Sequence, residues 1–223
     1  MTSKDFIIRN ATRDDVPFLV DTIIEAEKSG TDKLSYSTVF DLSEMESRTY
    51  IAKMLLEEVD GCELSISSFL IAEKNGCIAA ASAAWIEGID GIPSTVLKGN
   101  LLNSILPKKC FEKALAMNLI LRDLHIEYIA DTIQLGLVYV KSDFRGLNLV
   151  SMLIDEHVCQ LQKQAPTIDA MYVQVFGNNL PAIKAYEKVN FKVVMSKESS
   201  NEEILRYLPS NKKIVMKKKL FTE

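Results

Sequence analysis

The sequence predicts one domain built on a mixed α/β sheet. Three observations lead there. Strand-like apolar runs are interleaved with segments of helical period, Asn75-Gly76 joins two of the strand-like runs, and two later strands each pass through a short polar turn into a helix. At 223 residues the chain suits one substantial core and is short for two full-sized domains, so residues 1–223 are taken as a single unit.

Phe6 to Arg9 is the first expected strand. Thr12 with Asp15 three residues later marks a helix start, and Val16, Leu19, Val20, Ile23 and Ile24 keep helical spacing up to Gly30, which fits a stop. Ser43 with Glu46 makes a capping box for a second helix whose buried face carries Tyr50, Ile51, Met54 and Leu55. Phe69–Glu73 and Ile78–Ile86 are the hairpin strands; the second is rich in alanine, a weak strand former, so its assignment rests on the turn. Residues 87–130 are less regular, with a helix expected after Pro107 along Phe111, Leu115, Leu119 and Arg122. Further strands are expected at Thr132–Val140, Met171–Phe176, Phe191–Met195 and Lys213–Leu220, and helices at Leu149–Gln162 and Asn179–Val189.

Composition narrows the function classes. The net charge of −4 gives no basic face for nucleic acid, and the lysines at 212, 213, 217, 218 and 219 are expected to guard the edge of the last strand. No apolar stretch approaches the roughly 18 residues that span a bilayer, and the first residues lack a signal-peptide core, so a cytoplasmic protein without membrane contact is expected. Cys62, Cys77, Cys110 and Cys159 are widely spaced and read as reduced thiols. With only His125 and His157 besides, no metal site is expected. His157 shares a helical face with Val150, Ile154 and Leu161 and reads as a core histidine; His125 has no identifiable partner. Neither a phosphate-cradling G-x-x-x-x-G-K-[S/T] loop nor a G-x-G-x-x-G turn occurs.

Two segments carry chemistry. In Val138-Tyr139-Val140-Lys141-Ser142-Asp143-Phe144-Arg145-Gly146-Leu147-Asn148-Leu149-Val150 a buried strand runs through an Arg-Gly turn into a helix, aiming free backbone N–H groups and a positive helix end at one spot suited to a phosphate. In the second, the strand ending at Phe176 is followed by Gly177-Asn178-Asn179-Leu180-Pro181-Ala182-Ile183-Lys184-Ala185-Tyr186-Glu187-Lys188-Val189-Asn190-Phe191, with Pro181 in the first turn of a helix. Together, in this order, they resemble the GNAT superfamily of N-acetyltransferases. The first is similar to its acyl-CoA pyrophosphate motif. The second is similar to its Asn-x-x-Ala-Ile-x-x-Tyr-Glu-Lys-x-Gly-Phe signature through Asn179, Ala182, Ile183, Tyr186, Glu187, Lys188 and Phe191. Asn148 and Val150 stand where the family carries small residues, and Asn190 where it carries Gly. Asn tolerates left-handed backbone, whereas a branched residue at 150 is expected to crowd the phosphate.

The resemblance implies a central mixed, mostly antiparallel sheet flanked by helices, acetyl-CoA as co-substrate, and direct attack by the amine of a small molecule. It implies an oxyanion contact from the N–H of Val138 or Val140, and pyrophosphate held by Arg145, Gly146, Leu147, Asn148, Leu149 and Val150. Asn179 is then expected to bond the pantetheine arm or the backbone around it, and Tyr186 to serve as general acid. Glu127, Asp131 and Tyr139, on or near the central strand, are the general-base candidates. The segment 87–130 is expected to cover the acceptor side, and the resemblance favours a homodimer. Asn148 and Val150 keep a second class open, an acyl-CoA-binding sensor or interaction module with little catalysis.

Overall fold

The computed structural model describes residues 5–220. Among them, strands β1 (Ile7–Asn10), β2 (Phe69–Lys74), β3 (Cys77–Ile86), β4 (Ile133–Val140), β5 (Ala170–Phe176), β6 (Lys192–Glu198) and β7 (Lys212–Lys219) form one sheet in the order β1-β2-β3-β4-β5-β7-β6. Every neighbouring pair is antiparallel except β4 and β5, which run parallel. Helices α1 (Val16–Lys28), α2 (Ser35–Phe40), α3 (Glu44–Leu56), α4 (Ser94–Ile105), α5 (Lys108–Ala116) and α6 (Asn118–Leu121) belong to the first part of the chain. Helices α7 (Leu149–Gln164) and α8 (Leu180–Lys188) follow β4 and β5.

Local chemistry sets these boundaries. Asn75 and Gly76 both adopt positive φ (50° and 75°), the type I′ geometry that matches strand twist and pins the β2–β3 hairpin. Ser43 Oγ accepts from the Glu46 N–H at 3.2 Å while the Glu46 carboxylate accepts from the Ser43 N–H at 2.8 Å, closing the expected capping box of α3. At the start of α1 the Asp15 carboxylate accepts from the Thr12 N–H at 2.8 Å and pairs twice with the Arg9 guanidinium, which holds its carboxyl below the usual aspartate range.

The alanines of β3 explain themselves in the packed sheet. Ala79, Ala80, Ala81, Ala83 and Ala84 are all buried, on both faces of the strand. Their small side chains let α1 approach from one side and α7 from the other. Close packing on two faces outweighs a weak strand propensity.

Two expectations are corrected. The last strand is not an edge: β7 inserts between β5 and β6, leaving β1 and β6 outermost. Its lysines serve other contacts, Lys217 over the Tyr172 ring at 5.3 Å and Lys218 beside Asp155 at 3.5 Å. The single helix expected after Pro107 breaks at Met117; Phe111 packs against the core, while Leu115 is 58% and Leu119 70% exposed. Cys110 is the residue that α5 buries. Which face packs is decided by the neighbouring helices, and periodicity alone cannot tell. Helices α2 and α4 were not anticipated, the first being too short to show a period and the second being interrupted by Gly99-Asn100. No helix among the described residues is long and apolar enough to cross a membrane.

Candidate active site

The parallel pairing of β4 and β5 is short. Ile133, Gln134 and Leu135 pair with Met171, Tyr172 and Val173, and beyond them the two strands are no longer bonded. In contrast, β4 stays paired with β3 as far as Val140. A wedge therefore opens between β4 and β5 toward their C-terminal ends.

A bulge in β4 sits where the wedge begins. Between the pairs Ala84–Leu135 and Ser82–Val138, β3 advances two residues and β4 three. The extra residue bends the strand and shifts its alternation. Gly136 lies in this bulge because nothing larger fits. A Cβ there would come within 2.6 Å of Trp85 Cζ3. Past the bulge, the Lys141 N–H donates to the Ala79 carbonyl on β3 at 2.9 Å. Backbone groups alternate sides along an antiparallel strand. Val138 and Val140 therefore turn their N–H and C=O toward the open wedge. In agreement, Arg145 Nε donates to the Val140 carbonyl at 3.3 Å from that side. Arg145 is exposed and makes this bond rather than a pair with Asp143.

At the mouth of the wedge, the chain from Arg145 to Val150 forms the expected turn into α7. Gly146 (φ 79°) and Asn148 (φ 60°, ψ 21°) are both left-handed, and space is open where a Gly146 side chain would be. Asn148 thus meets the backbone requirement that glycine usually meets. The partly buried Val150 side chain packs against the cluster around Ile154 and Val173. The first amides of α7, Leu149 onward, have no intrahelical acceptor by position and leave the helix's positive end facing outward. Asn190 (φ 71°) ends the α8 segment in the left-handed conformation.

The wedge leads into a cavity of about 430 Å³. Of the sequence-predicted residues, Val138, Asn179 and Tyr186 line it. Tyr186 is buried, its ring packs on Phe191 at 5.7 Å, and burial holds its phenol above the ordinary tyrosine range. Asn179 is committed to the fold: its Oδ1 accepts from the Ala182 N–H at 3.2 Å as the cap of α8, and its Nδ2 donates to Ser29 Oγ at 3.1 Å. Together with Asn178, which donates to the Ser29 carbonyl, it ties the end of α1 to the β5–α8 turn.

The three general-base candidates are not brought to the cavity. Glu127 has its side chain 83% exposed and among the described residues pairs with His125 alone, at 3.1 Å. Asp131 stands in the turn before β4, at the end away from the wedge, with left-handed φ of 57°. Tyr139 lies on the α1 face, against Phe18 at 6.1 Å. His157 is buried, its Nε2 2.9 Å from Ser82 Oγ, and desolvation lowers its pKa to about 4.

Sequence reasoning missed the polar wall of the cavity. Glu27, Tyr36, Glu63, Trp85, Lys98, Tyr128 and Lys213 come from α1, α2, the loop before β2, β3, α4, the loop before β4, and β7. Lys98 Nζ pairs with Glu63 at 2.7 Å. Burial opposes its charge, but Glu63, with Tyr36 and Glu27 beyond, outweighs this and holds its pKa well above the ordinary lysine value. Trp85 stacks edge-on against Tyr128 at 5.5 Å and donates through Nε1 to Glu87 at 2.9 Å. Burial raises the Tyr36 and Tyr128 phenols alike. No local motif marks these residues, since each sits one per element. Lys98, Leu102, Leu121, Leu124, His125 and Tyr128 do place the irregular segment 87–130 on the cavity.

No protein-family model matches the sequence, and no curated protein matches it. Solved structures do. An N-acetyltransferase from Staphylococcus aureus Mu50 is similar over 95% of this chain and 100% of its own, at TM-score 0.64 and 14% identity. The Drosophila melanogaster polyamine N-acetyltransferase, which forms N-acetylagmatine, is similar over 97% and 100% at TM-score 0.58 and 12% identity. A ribosomal-protein-alanine N-acetyltransferase from Brucella melitensis is similar over 96% and 99% at TM-score 0.53 and 16% identity. With its one open seven-stranded sheet, splayed between the parallel strands β4 and β5, this chain has the fold of the GNAT-type N-acetyltransferases.

Proposed function

We propose that this chain transfers the acetyl group of acetyl-CoA to the amine of a small molecule. The observation that carries this is the wedge between β4 and β5: it leads to a cavity with Tyr186 and four charged side chains in its wall, and a helix start lies at its mouth. The similarity in fold to N-acetyltransferases acting on polyamines and on a ribosomal protein supports the reaction class. A cavity of about 430 Å³ favours a small acceptor, being near the lower end of the roughly 300–1,000 Å³ typical of small-ligand sites.

In this reading Arg145 and the amides from Gly146 to Val150 hold the pyrophosphate, and the pantetheine arm follows the wedge beside Val138 and Val140. The neutral amine nitrogen attacks the thioester carbonyl directly, forming the C–N bond, and the proton it sheds passes to water. The inward N–H of Val138 or Val140 stabilises the oxyanion. The C–S bond then breaks, its electron pair goes to sulfur, and Tyr186 donates the proton that makes the free thiol. A phenol held above its ordinary pKa stays protonated at neutral pH until a thiolate is formed beside it. The segment 87–130, through Lys98 and Tyr128, shapes the acceptor side.

Calorimetric titration with acetyl-CoA, with adenosine triphosphate as control, followed by thiol release in the presence of amines, tests the reading. Saturable acetyl-CoA binding with amine-dependent thiol release is expected. Binding without thiol release from any amine would make the protein an acyl-CoA-binding module instead, and absence of binding would remove both. Tyr186→Phe is expected to lower kcat at least 10-fold while leaving acetyl-CoA affinity within about twofold.

A further inference from the structure

Within the acetyl-transfer reading, the charges around the cavity restrict the acceptor. Four charged side chains from α1, the loop before β2, α4 and β7 line it: Glu27, Glu63, Lys98 and Lys213. Two of them satisfy each other, Lys98 and Glu63 at 2.7 Å. The other two are left over. Among the described residues the Glu27 carboxylate accepts one hydrogen bond, from Ser35 Oγ, and has no ion pair. The Lys213 ammonium has no carboxylate partner among the described residues and lies over the Phe176 ring, 5.5 Å from its centroid. Glu27 is near enough for its charge to act on Lys213, yet the two do not meet. A third group is also unmatched: Tyr36, only 2% exposed and part of the cavity wall, has a hydroxyl with no hydrogen-bond partner among the described residues.

Unpaired charges and an orphaned hydroxyl at a partly dehydrated site cost free energy until a ligand satisfies them. A simple amine would satisfy Glu27 and leave Lys213 unmatched. A di- or polyamine fares no better, because a second ammonium brings Lys213 no counter-charge. The complementary ligand carries one positive and one negative group. We propose that the acceptor is an amine that also bears a carboxylate, an amino-acid-like molecule, with Glu27 receiving the amine and Lys213 the carboxylate. The assignment gives Glu27 the acceptor's ammonium before reaction and the proton it must lose to become a nucleophile. Desolvation, which lowers the pKa of Lys213, is offset by the charge of an arriving carboxylate.

The test uses matched sets of acceptors: α-amino acids, their carboxamides, and the amines left by removing the carboxylate. Thiol release from acetyl-CoA is measured for each with the intact protein. The carboxylate-bearing member of a set is expected to exceed its carboxamide at least 10-fold in kcat/KM. In Lys213→Met that ratio should fall below about threefold with acetyl-CoA affinity unchanged, and Lys213→Arg should retain most of it. Turnover of carboxamides or decarboxylated amines as good as, or better than, that of the amino acids overturns this inference and leaves acetyl transfer standing. Saturable acetyl-CoA binding without thiol release from any member of any set overturns both.

Discussion

Replacing Gly136 with alanine tests the central geometric claim, that the β4 bulge must lie against a fixed indole. The added Cβ would stand 2.6 Å from Trp85 Cζ3, 3.1 Å from Cη2 and 3.5 Å from Glu63 Cβ. Carbon atoms settle at about 3.5–4.0 Å, so the ring must retreat by about 1 Å. It has little room to do so. Nε1 is held by Glu87, which in turn accepts from the Ser94 N–H at 2.9 Å and from Ser94 Oγ, and the ring edge rests on Tyr128. Overpacking of this kind costs about 1–3 kcal/mol, and with the ring anchored at two points the upper end is expected. For a chain of this size that is a fall of roughly 6–12 °C in Tm. Trp85 is the single tryptophan, so its emission reports the site directly during thermal or urea unfolding. Because Trp85 and Glu63 also line the cavity, the acceptor KM should rise more than the acetyl-CoA KM. Trp85→Phe removes the far ring atoms, and the double variant should recover about 1–2 kcal/mol relative to additivity. A Gly136→Ala protein within about 0.5 kcal/mol of the parent, with unshifted emission, would refute the reasoning.

Three further outcomes are expected. His157 has a folded pKa of about 4 against an ordinary 6.5, so the unfolded chain takes up its proton first. Its contribution is complete above pH 6.5 and is lost as pH falls toward 4, by roughly 3 kcal/mol in all. Urea midpoints measured from pH 7 to 4.5 should fall less steeply in His157→Gln. At Asn148 (φ 60°), replacement by glycine should leave stability nearly unchanged, while valine should cost about 1–2 kcal/mol and weaken acetyl-CoA binding; paired denaturation and calorimetry read both. Asn179→Ala removes the α8 cap and the tether to Ser29, and should cost about 1–2 kcal/mol in chemical denaturation.

Much of this protein was legible in order along the chain, because the relevant physics is local. The Asn75-Gly76 hairpin, the Ser43–Glu46 box, the left-handed positions at Asn148 and Asn190, and the burial of His157 each follow from side-chain or backbone preferences within a few residues. The two strand–turn–helix segments were legible for the same reason, and they led to the fold.

Tertiary structure alone decided the rest. Strand order is a long-range pairing, so nothing near Lys212–Lys219 told that β7 would lie inside the sheet rather than at its edge. Which side chains of α5 and α6 are covered was set by the elements they meet, which the sequence period does not name. The cavity is the clearest case. Glu27, Glu63, Lys98 and Lys213 lie far apart in sequence and carry no common motif, and a solvated charge looks the same in sequence as a cavity charge. Only folding shows that one pair is neutralised and the other left over, because pairing depends on separations of a few ångströms between elements that the sequence does not place.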